Sequence, residues 1–135
     1  MTESVFLRDG TIATRALDEV LALGVRLSLD DFGTGYSSLG YLSHTRFTGI
    51  KVDRSFVRAA AGGAIEAQAI IRAVVALASS LNLVTTAEGV ETEQELELVR
   101  MLGCMRIQGY FFGRPLPVEE ARHLVHRRQS AARAA

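Results

Sequence analysis

Residues 27–39 read Leu-Ser-Leu-Asp-Asp-Phe-Gly-Thr-Gly-Tyr-Ser-Ser-Leu. A short apolar run ends at two adjacent carboxylates, Asp30 and Asp31, and a glycine-rich turn follows at once. Such a pair destabilises a fold unless a positive charge neutralises it, and hard divalent cations bind carboxylate oxygens. The stretch therefore predicts a strand whose carboxyl end carries part of a metal site. An Asx turn or a helix N-cap is the structural alternative for an aspartate in this position.

Composition narrows the class of protein. The chain has 135 residues and is 48% hydrophobic, which is enough for one compact domain with its own core. Its 15 basic and 15 acidic side chains cancel, so no general field attracts a polymeric nucleic acid. No apolar run reaches the roughly 20 residues of a membrane helix, and no signal pattern opens the chain. We expect a cytoplasmic protein with no membrane contact, in which Cys104 is a buried structural thiol.

Strand and helix patterns alternate along the chain. Strands are predicted at Val25–Leu29, Gly49–Asp53, Leu83–Ala87 and Met105–Ile107, and helices at Thr11–Leu23, Ser37–Leu42, Glu66–Leu81, Glu93–Leu102 and Val118–Arg127. An Ala/Gly-rich connection is predicted at Ala59–Ala64, and Thr92 with Glu95 forms a capping-box pattern. This alternation predicts parallel βαβ units, in either a small doubly wound sheet or half of an eight-unit barrel.

Polar residues interrupt each predicted strand where it ends, and these ends meet at one edge of a parallel sheet. Lys51 could orient a metal-bound water, or it could pair with Asp53 as a structural ion pair. Glu88 could bind a metal or accept a proton from water, whereas Glu91 could be an ordinary exposed residue of a helix's first turn. Gln108 could donate to a phosphate oxygen or satisfy backbone groups. Together with the acidic pair, this set suits metal-assisted attack of water on a phosphodiester.

Four stretches carry a specific resemblance to a known family. They are Asp-Asp-Phe-Gly-Thr-Gly-Tyr-Ser-Ser-Leu at 30–39, Lys-Val-Asp-Arg-Ser-Phe at 51–56, Glu-Gly-Val-Glu-Thr at 88–92 and Gln-Gly-Tyr-Phe-Phe-Gly-Arg-Pro at 108–115. In this order they resemble the EAL-domain family of bacterial cyclic-di-GMP phosphodiesterases. The resemblance implies Mg²⁺- or Mn²⁺-dependent hydrolysis of cyclic di-GMP to linear pGpG in second-messenger signalling.

The resemblance also implies the fold class. We expect an α/β fold, the C-terminal half of an EAL-type modified TIM barrel, with about four βα units of parallel strands and flanking helices. The partial domain is predicted at residues 1–127, and residues 128–135 are predicted to be a frayed polar tail.

The resemblance assigns roles to the residues at the strand ends. Asp30 resembles the aspartate that bridges two metals, and Asp31 resembles a ligand of the second metal. Lys51 resembles the lysine that holds the hydrolytic water, and Glu88 resembles a second-metal ligand or general base. The catalytic prediction is therefore Glu88 with Lys51, and the metal prediction is Asp30, Asp31 and Glu88.

Three further residues match the family's pattern around this centre. Gln108 and Glu91 resemble residues that line the same site, and we predict that they bind substrate. Glu3 resembles a glutamate that braces the glycine-rich loop at 32–39, which the family uses to couple the active site to dimerisation.

The Glu-Ala-Leu signature of the family does not occur upstream of these motifs in the chain, and neither do three ligands of its first metal. We therefore expect weak or no hydrolysis by the 135 residues alone. A half-barrel has open edges, so we also expect self-association or docking to a separate N-terminal half. The alternative function is a non-catalytic EAL-like module for cyclic-di-GMP sensing or protein interaction. A response-receiver-like domain ranks behind both. In receivers the lysine lies on the last strand, whereas Lys51 lies on the strand directly after the acidic pair.

Overall fold

A computed structural model describes residues 10–32 and 46–124. The helices in these ranges are α1 (Gly10–Ala22), α2 (Arg54–Ala61), α3 (Ile65–Ser80), α4 (Glu93–Met101) and α5 (118–124), and the strands are β1 (Ser28–Phe32), β2 (Gly49–Val52), β3 (Val84–Ala87) and β4 (Arg106–Ile107). The predicted helix at Ser37–Leu42, the predicted loop brace Glu3 and the predicted tail at 128–135 lie outside the described residues.

The strands of the described ranges form one parallel sheet in the order β1-β2-β3-β4. Helices α2 and α3 connect β2 to β3, and α4 connects β3 to β4. This is the predicted βαβ alternation, and it brings the carboxyl ends of the strands to one edge. Lys51 lies directly beside Thr86 in the register of β2 and β3.

One face of this sheet carries the hydrophobic core. Ile50 and Val52 of β2 are fully buried against the helices, as are Thr85 and Ala87 of β3. Side chains alternate between the two faces of a strand, so Lys51 points to the opposite, half-exposed face. Val84 and Thr86 of β3 are half-buried on the same face as Lys51.

Helix α3 supplies the largest part of the core. Its 16 residues place Ala67, Ile71, Val74 and Ala78 on the buried side at helical spacing, whereas Ile70, which was expected on the apolar side, is exposed. A bilayer span needs about 20 apolar residues. Within 10–32 and 46–124, no helix is long and apolar enough to cross a membrane.

The capping box predicted at the start of α4 is confirmed. The Thr92 hydroxyl accepts a hydrogen bond from the Glu95 N–H at 3.2 Å, and the Glu95 carboxylate accepts one from the Thr92 N–H at 3.0 Å. The predicted burial of Cys104 is also confirmed, and burial raises the pKa of its thiol to about 11. Both predictions depended only on residues close together in the sequence.

The predicted bounds of β1 and of the Ala/Gly-rich connection are wrong. Strand β1 begins at Ser28 rather than Val25 and includes the acidic pair, because Ser28 pairs with Gly49 of β2 while Val25 remains exposed. The predicted Ala/Gly-rich connection at Ala59–Ala64 begins inside α2, which continues to Ala61. Alanine is the strongest helix former, and Val57 and Ala60 are buried among the core residues, so these small residues extend a helix.

Candidate metal centre

A bulge in β1 presents the two aspartates to the same site. Leu29 pairs with Ile50 and Phe32 pairs with Val52, so Asp30 and Asp31 together lie opposite Lys51. Asp31 has a φ of 54°, in the left-handed region that aspartate tolerates better than most residues. An extended strand would send consecutive side chains to opposite faces. The convergence of Asp30 and Asp31 was expected from the following turn, but the bulge within the strand provides it.

Lys51 connects β1 to the end of β3. Its ammonium donates to Asp30 Oδ1 at 3.2 Å and lies 2.5 Å from Glu88 Oε1. The three side chains are only 26%, 28% and 19% exposed, so water screens these ion pairs incompletely. The alternative pairing of Lys51 with Asp53 is not what the structure contains. The Asp53 carboxylate instead caps α2, accepting from the Ser55 N–H at 2.8 Å.

The electrostatics of the two groups follow from this contact. Burial alone would raise the pKa of Asp30, but the hydrogen bond and charge of Lys51 outweigh it and lower that pKa. Burial alone would lower the pKa of Lys51, but Glu88 and Asp30 outweigh it and raise that pKa. Each partner therefore favours the charged form of the other.

The carboxylates form a candidate metal centre. Asp30, Asp31 and Glu88 each offer an oxygen, and these oxygens all lie within 4.8 Å of one another. Oxygen-only donors at this spacing fit a hard divalent cation such as Mg²⁺ or Mn²⁺. The structure thus brings together all three residues that the sequence predicted as metal ligands.

The turn at 88–92 holds Glu88 at this edge. The Glu88 N–H donates to the Val52 carbonyl at 3.0 Å, and the Val90 N–H donates to the Gln108 carbonyl at 3.1 Å. Gly89 between them has a φ of +67°, and a Cβ there would meet the side chain of Arg54. The turn therefore requires glycine at this position and is packed against α2 as well as bonded to β2.

Gln108 and Glu91 lie beside the carboxylates. They share with Glu88 a cavity of about 240 Å³, whose other lining residues are Asp53, Arg54, Gly89, Gly109 and Tyr110. The Gln108 side chain is exposed, and its backbone N–H donates to the Ala87 carbonyl at 2.8 Å. The Glu91 carboxylate pairs with Arg58 of α2 at 2.8 Å.

Sequence reasoning missed the contribution of α2. Arg58 holds Glu91, and Arg54 lines the cavity and packs on Gly89, yet neither was predicted as a functional residue. The signal was available in Asp53-Arg54-Ser55, since an aspartate N-cap followed by an alanine-rich run is typical of a helix start.

The sequence motifs and this geometry agree with one known family. A family model described as the EAL domain matches residues 1–115. The chain belongs to the EAL-domain family. This confirms the resemblance that the four motifs carry.

Relatives of this EAL chain include signalling enzymes. It is 46% identical over 120 residues to MucR of Pseudomonas aeruginosa, described as a bifunctional diguanylate cyclase/cyclic di-GMP phosphodiesterase. The match covers 89% of this chain but 17% of MucR, so the chain spans about a sixth of that relative's length.

Two solved EAL structures extend the comparison. The MucR phosphodiesterase in complex with cyclic di-GMP superimposes with a TM-score of 0.81 at 45% identity, covering 90% of this chain and 49% of that one. The Klebsiella pneumoniae BlrP1 complex with manganese and cyclic di-GMP gives a TM-score of 0.74 at 34% identity, covering 84% and 29%. The parallel four-strand sheet with flanking helices confirms the predicted fold class, a half-barrel of the EAL type.

Proposed function

We propose that this chain is the part of an EAL-type phosphodiesterase that binds a divalent cation and helps to hydrolyse cyclic di-GMP to linear pGpG. The observation that carries the proposal is the cluster of three carboxylates within 4.8 Å, two of which, Asp30 and Glu88, contact the Lys51 ammonium. Asp30, Asp31 and Glu88 would hold Mg²⁺ or Mn²⁺. When bound, the cation would polarise a phosphoryl oxygen and lower the pKa of water.

Lys51 and Glu88 would position the attacking water, stabilise charge and accept a proton. The Lys51 ammonium has three donors, and its contacts with Asp30 and Glu88 account for two of them. The remaining donor can hold the attacking water or a phosphate oxygen. The second carboxylate oxygen of Glu88 can accept a proton from that water. The raised pKa of Lys51 keeps the ammonium charged throughout the neutral range.

The cavity beside Glu88 supplies a place for the nucleotide. Gln108 offers an amide donor to phosphate, and Arg54 adds a positive charge to the lining. Glu91 lines this cavity, and its carboxylate pairs with Arg58 at 2.8 Å. We propose that Gln108 and Glu91 contact the substrate. The cyclic-di-GMP complexes of MucR and BlrP1 support this choice of nucleotide.

Metal binding is the first test. Calorimetric titration of the purified chain with Mn²⁺ should show one ion per chain, and Glu88→Gln should weaken binding by at least about tenfold because it removes a charged ligand. Glu97→Gln on the exposed side of α4 is the matched control and should bind as the wild type does. Equal affinity of Glu88→Gln and the wild type would contradict the proposed ligand set.

Turnover is the second test. Incubation with cyclic di-GMP and Mn²⁺, followed by chromatographic separation of pGpG, should show slow or no hydrolysis by the 135 residues alone. Three carboxylates supply half of the six oxygens that Mg²⁺ prefers, so this cluster suits one loosely held ion. Rapid turnover that Glu88→Ala abolishes would contradict this expectation of weak activity while supporting the site.

We propose that the half-exposed face of the sheet docks against the N-terminal half of an EAL barrel. A cavity of about 320 Å³ on the sheet is lined by the polar residues Arg26, Ser28, Thr48, Thr86 and Arg106 and by Gly49 and Val84. The alignment with 49% of the MucR structure supports a partner of similar size. Adding an N-terminal half-barrel should yield a one-to-one complex by light scattering and raise the rate of pGpG formation.

A non-catalytic nucleotide sensor is the second candidate. It is favoured by Lys51, which already neutralises part of the carboxylate charge and so suits binding without chemistry. Titration with cyclic di-GMP in EDTA separates the two functions. Tight binding in EDTA would favour the sensor, whereas binding that requires Mn²⁺ would favour the phosphodiesterase.

A further inference from the structure

Among the described residues, Glu95 is the acidic residue that is buried. Its side chain belongs to α4, and the residue is only 7% exposed. A buried carboxylate is costly unless several hydrogen bonds compensate it. The bonds that Glu95 makes therefore indicate what the residue is for.

One oxygen of Glu95 holds two successive backbone groups. Glu95 Oε2 accepts from the Glu91 N–H at 2.7 Å and from the Thr92 N–H at 3.0 Å. A capping box requires only the second of these bonds, because it joins the third helical residue to the N-cap. The shorter bond, to Glu91, reaches one residue further back, into the turn that carries Glu88.

The remainder of that turn is fixed from other directions. The Val90 side chain is fully buried, its N–H donates to the Gln108 carbonyl, and its carbonyl accepts from the Phe111 N–H at 3.0 Å. At the start of the turn, Glu88 is bonded to β2 through the Val52 carbonyl. Glu95 thus holds the backbone N–H groups at the end of the turn, which β2 and residues 108–111 do not bond, while Arg58 of α2 pairs with the Glu91 side chain.

We propose that Glu95 is a positioning residue, which holds the turn at 88–92 so that the Glu88 carboxylate meets Asp30, Asp31 and Lys51. Its functional consequence rests on the proposed metal site. Loss of the Glu95 carboxylate frees the Glu91 and Thr92 amides and lets the turn adopt other conformations. Glu88 then spends less time beside the aspartates, so the affinity for a divalent cation falls.

The variants separate positioning from helix capping. Glu95→Ala removes both bonds, and Glu95→Gln retains an uncharged oxygen that can accept both. Thr92→Ala is the matched control, because it removes the other half of the capping box and leaves the Glu91 bond intact. Glu95→Asp shortens the side chain by one carbon and serves as the milder variant if Glu95→Ala does not fold.

Two measurements are made on each variant of the full chain. Hydrogen exchange by mass spectrometry, without metal, should be at least about tenfold faster at Glu91 and Thr92 in Glu95→Ala, with near wild-type exchange at Glu91 in Glu95→Gln and Thr92→Ala. Calorimetry should show about tenfold weaker Mn²⁺ binding by Glu95→Ala, with Glu95→Gln restoring it. Glu95→Asp should be intermediate in both.

The outcomes distinguish this inference from the proposed function. Unchanged exchange at Glu91 in Glu95→Ala, or an equal loss of Mn²⁺ affinity in Thr92→Ala, would overturn the positioning role. A wild-type chain that does not bind Mn²⁺ would refute the metal site, while the exchange measurement would still decide whether Glu95 fixes the turn.

Discussion

Replacing Lys51 by methionine removes the cation of the candidate metal centre while retaining an unbranched apolar stem. The ammonium lies 3.2 Å from Asp30 Oδ1 and 2.5 Å from Glu88 Oε1, so the substitution removes two ion pairs at once. It also leaves the mutual repulsion of three carboxylates within 4.8 Å without the lysine charge. We expect Lys51→Met to destabilise the fold.

The magnitude follows from these distances. Even at the dielectric constant of bulk water, Coulomb's law gives about 1.3 kcal/mol at 3.2 Å and about 1.7 kcal/mol at 2.5 Å. Partial burial of the three side chains strengthens both attractions but also adds a desolvation penalty, and ordering of the lysine side chain costs up to about 2 kcal/mol. We expect Lys51→Met to lower the free energy of unfolding by about 1–3 kcal/mol.

Urea unfolding followed by far-ultraviolet circular dichroism in EDTA measures this loss. The matched control is Arg15→Met on α1, where the ion pair with Glu19 spans 3.9 Å between side chains 87% and 76% exposed. Its stability should stay within about 0.5 kcal/mol of the wild type. Saturating Mn²⁺ should recover part of the loss in Lys51→Met, because the cation neutralises the same carboxylates.

If Lys51→Met in EDTA unfolds within about 0.5 kcal/mol of the wild type, or is more stable, then desolvation of the ammonium cancels its ion pairs. Equal losses in Lys51→Met and Arg15→Met would show instead that burial at this site does not strengthen the electrostatics.

Three further predictions concern the surroundings of the centre. Asp53→Ala should cost about 1 kcal/mol at pH 7, because it removes the cap of α2. The hydrogen bond from Ser55 lowers the pKa of Asp53 below its ordinary 3.8. The loss of stability in Asp53→Ala should therefore persist above pH 3.8 and shrink as the pH falls through the lower pKa of the folded state. Urea midpoints that differ equally at pH 7 and pH 2.5 would contradict this prediction. Cys104 should react slowly with a disulfide reagent at pH 8 in the folded state and rapidly in guanidinium, since burial raises its pKa to about 11; equal rates would contradict the burial. Gly109→Ala should lower the free energy of unfolding by more than about 2 kcal/mol and weaken Mn²⁺ binding, because its Cβ would meet the Val90 backbone. The control Gly62→Ala should stay within about 0.5 kcal/mol of the wild type in urea unfolding. Matching results for the two variants would contradict the close approach at Gly109.

Local signals in the sequence predicted most of the elements. Apolar periodicity located α3, and the Thr92 and Glu95 pattern located the start of α4, because both depend on residues within one or two turns. The start of β1 could not be predicted in this way, since pairing with Gly49 decides it. Helix α2 was missed because alanine and glycine were taken together as linker residues, although alanine favours a helix.

The residue types at the strand ends were evident from the sequence, and they indicated the family and the candidate metal ligands. How these side chains meet depends on the tertiary structure. A bulge in β1 places Asp30 and Asp31 together opposite Lys51. Lys51 pairs with Asp30 and Glu88 rather than with its near neighbour Asp53. Adjacent parallel strands bring residues far apart in the chain to within hydrogen-bonding distance, whereas Asp53 lies just past the end of β2, where its carboxylate caps α2.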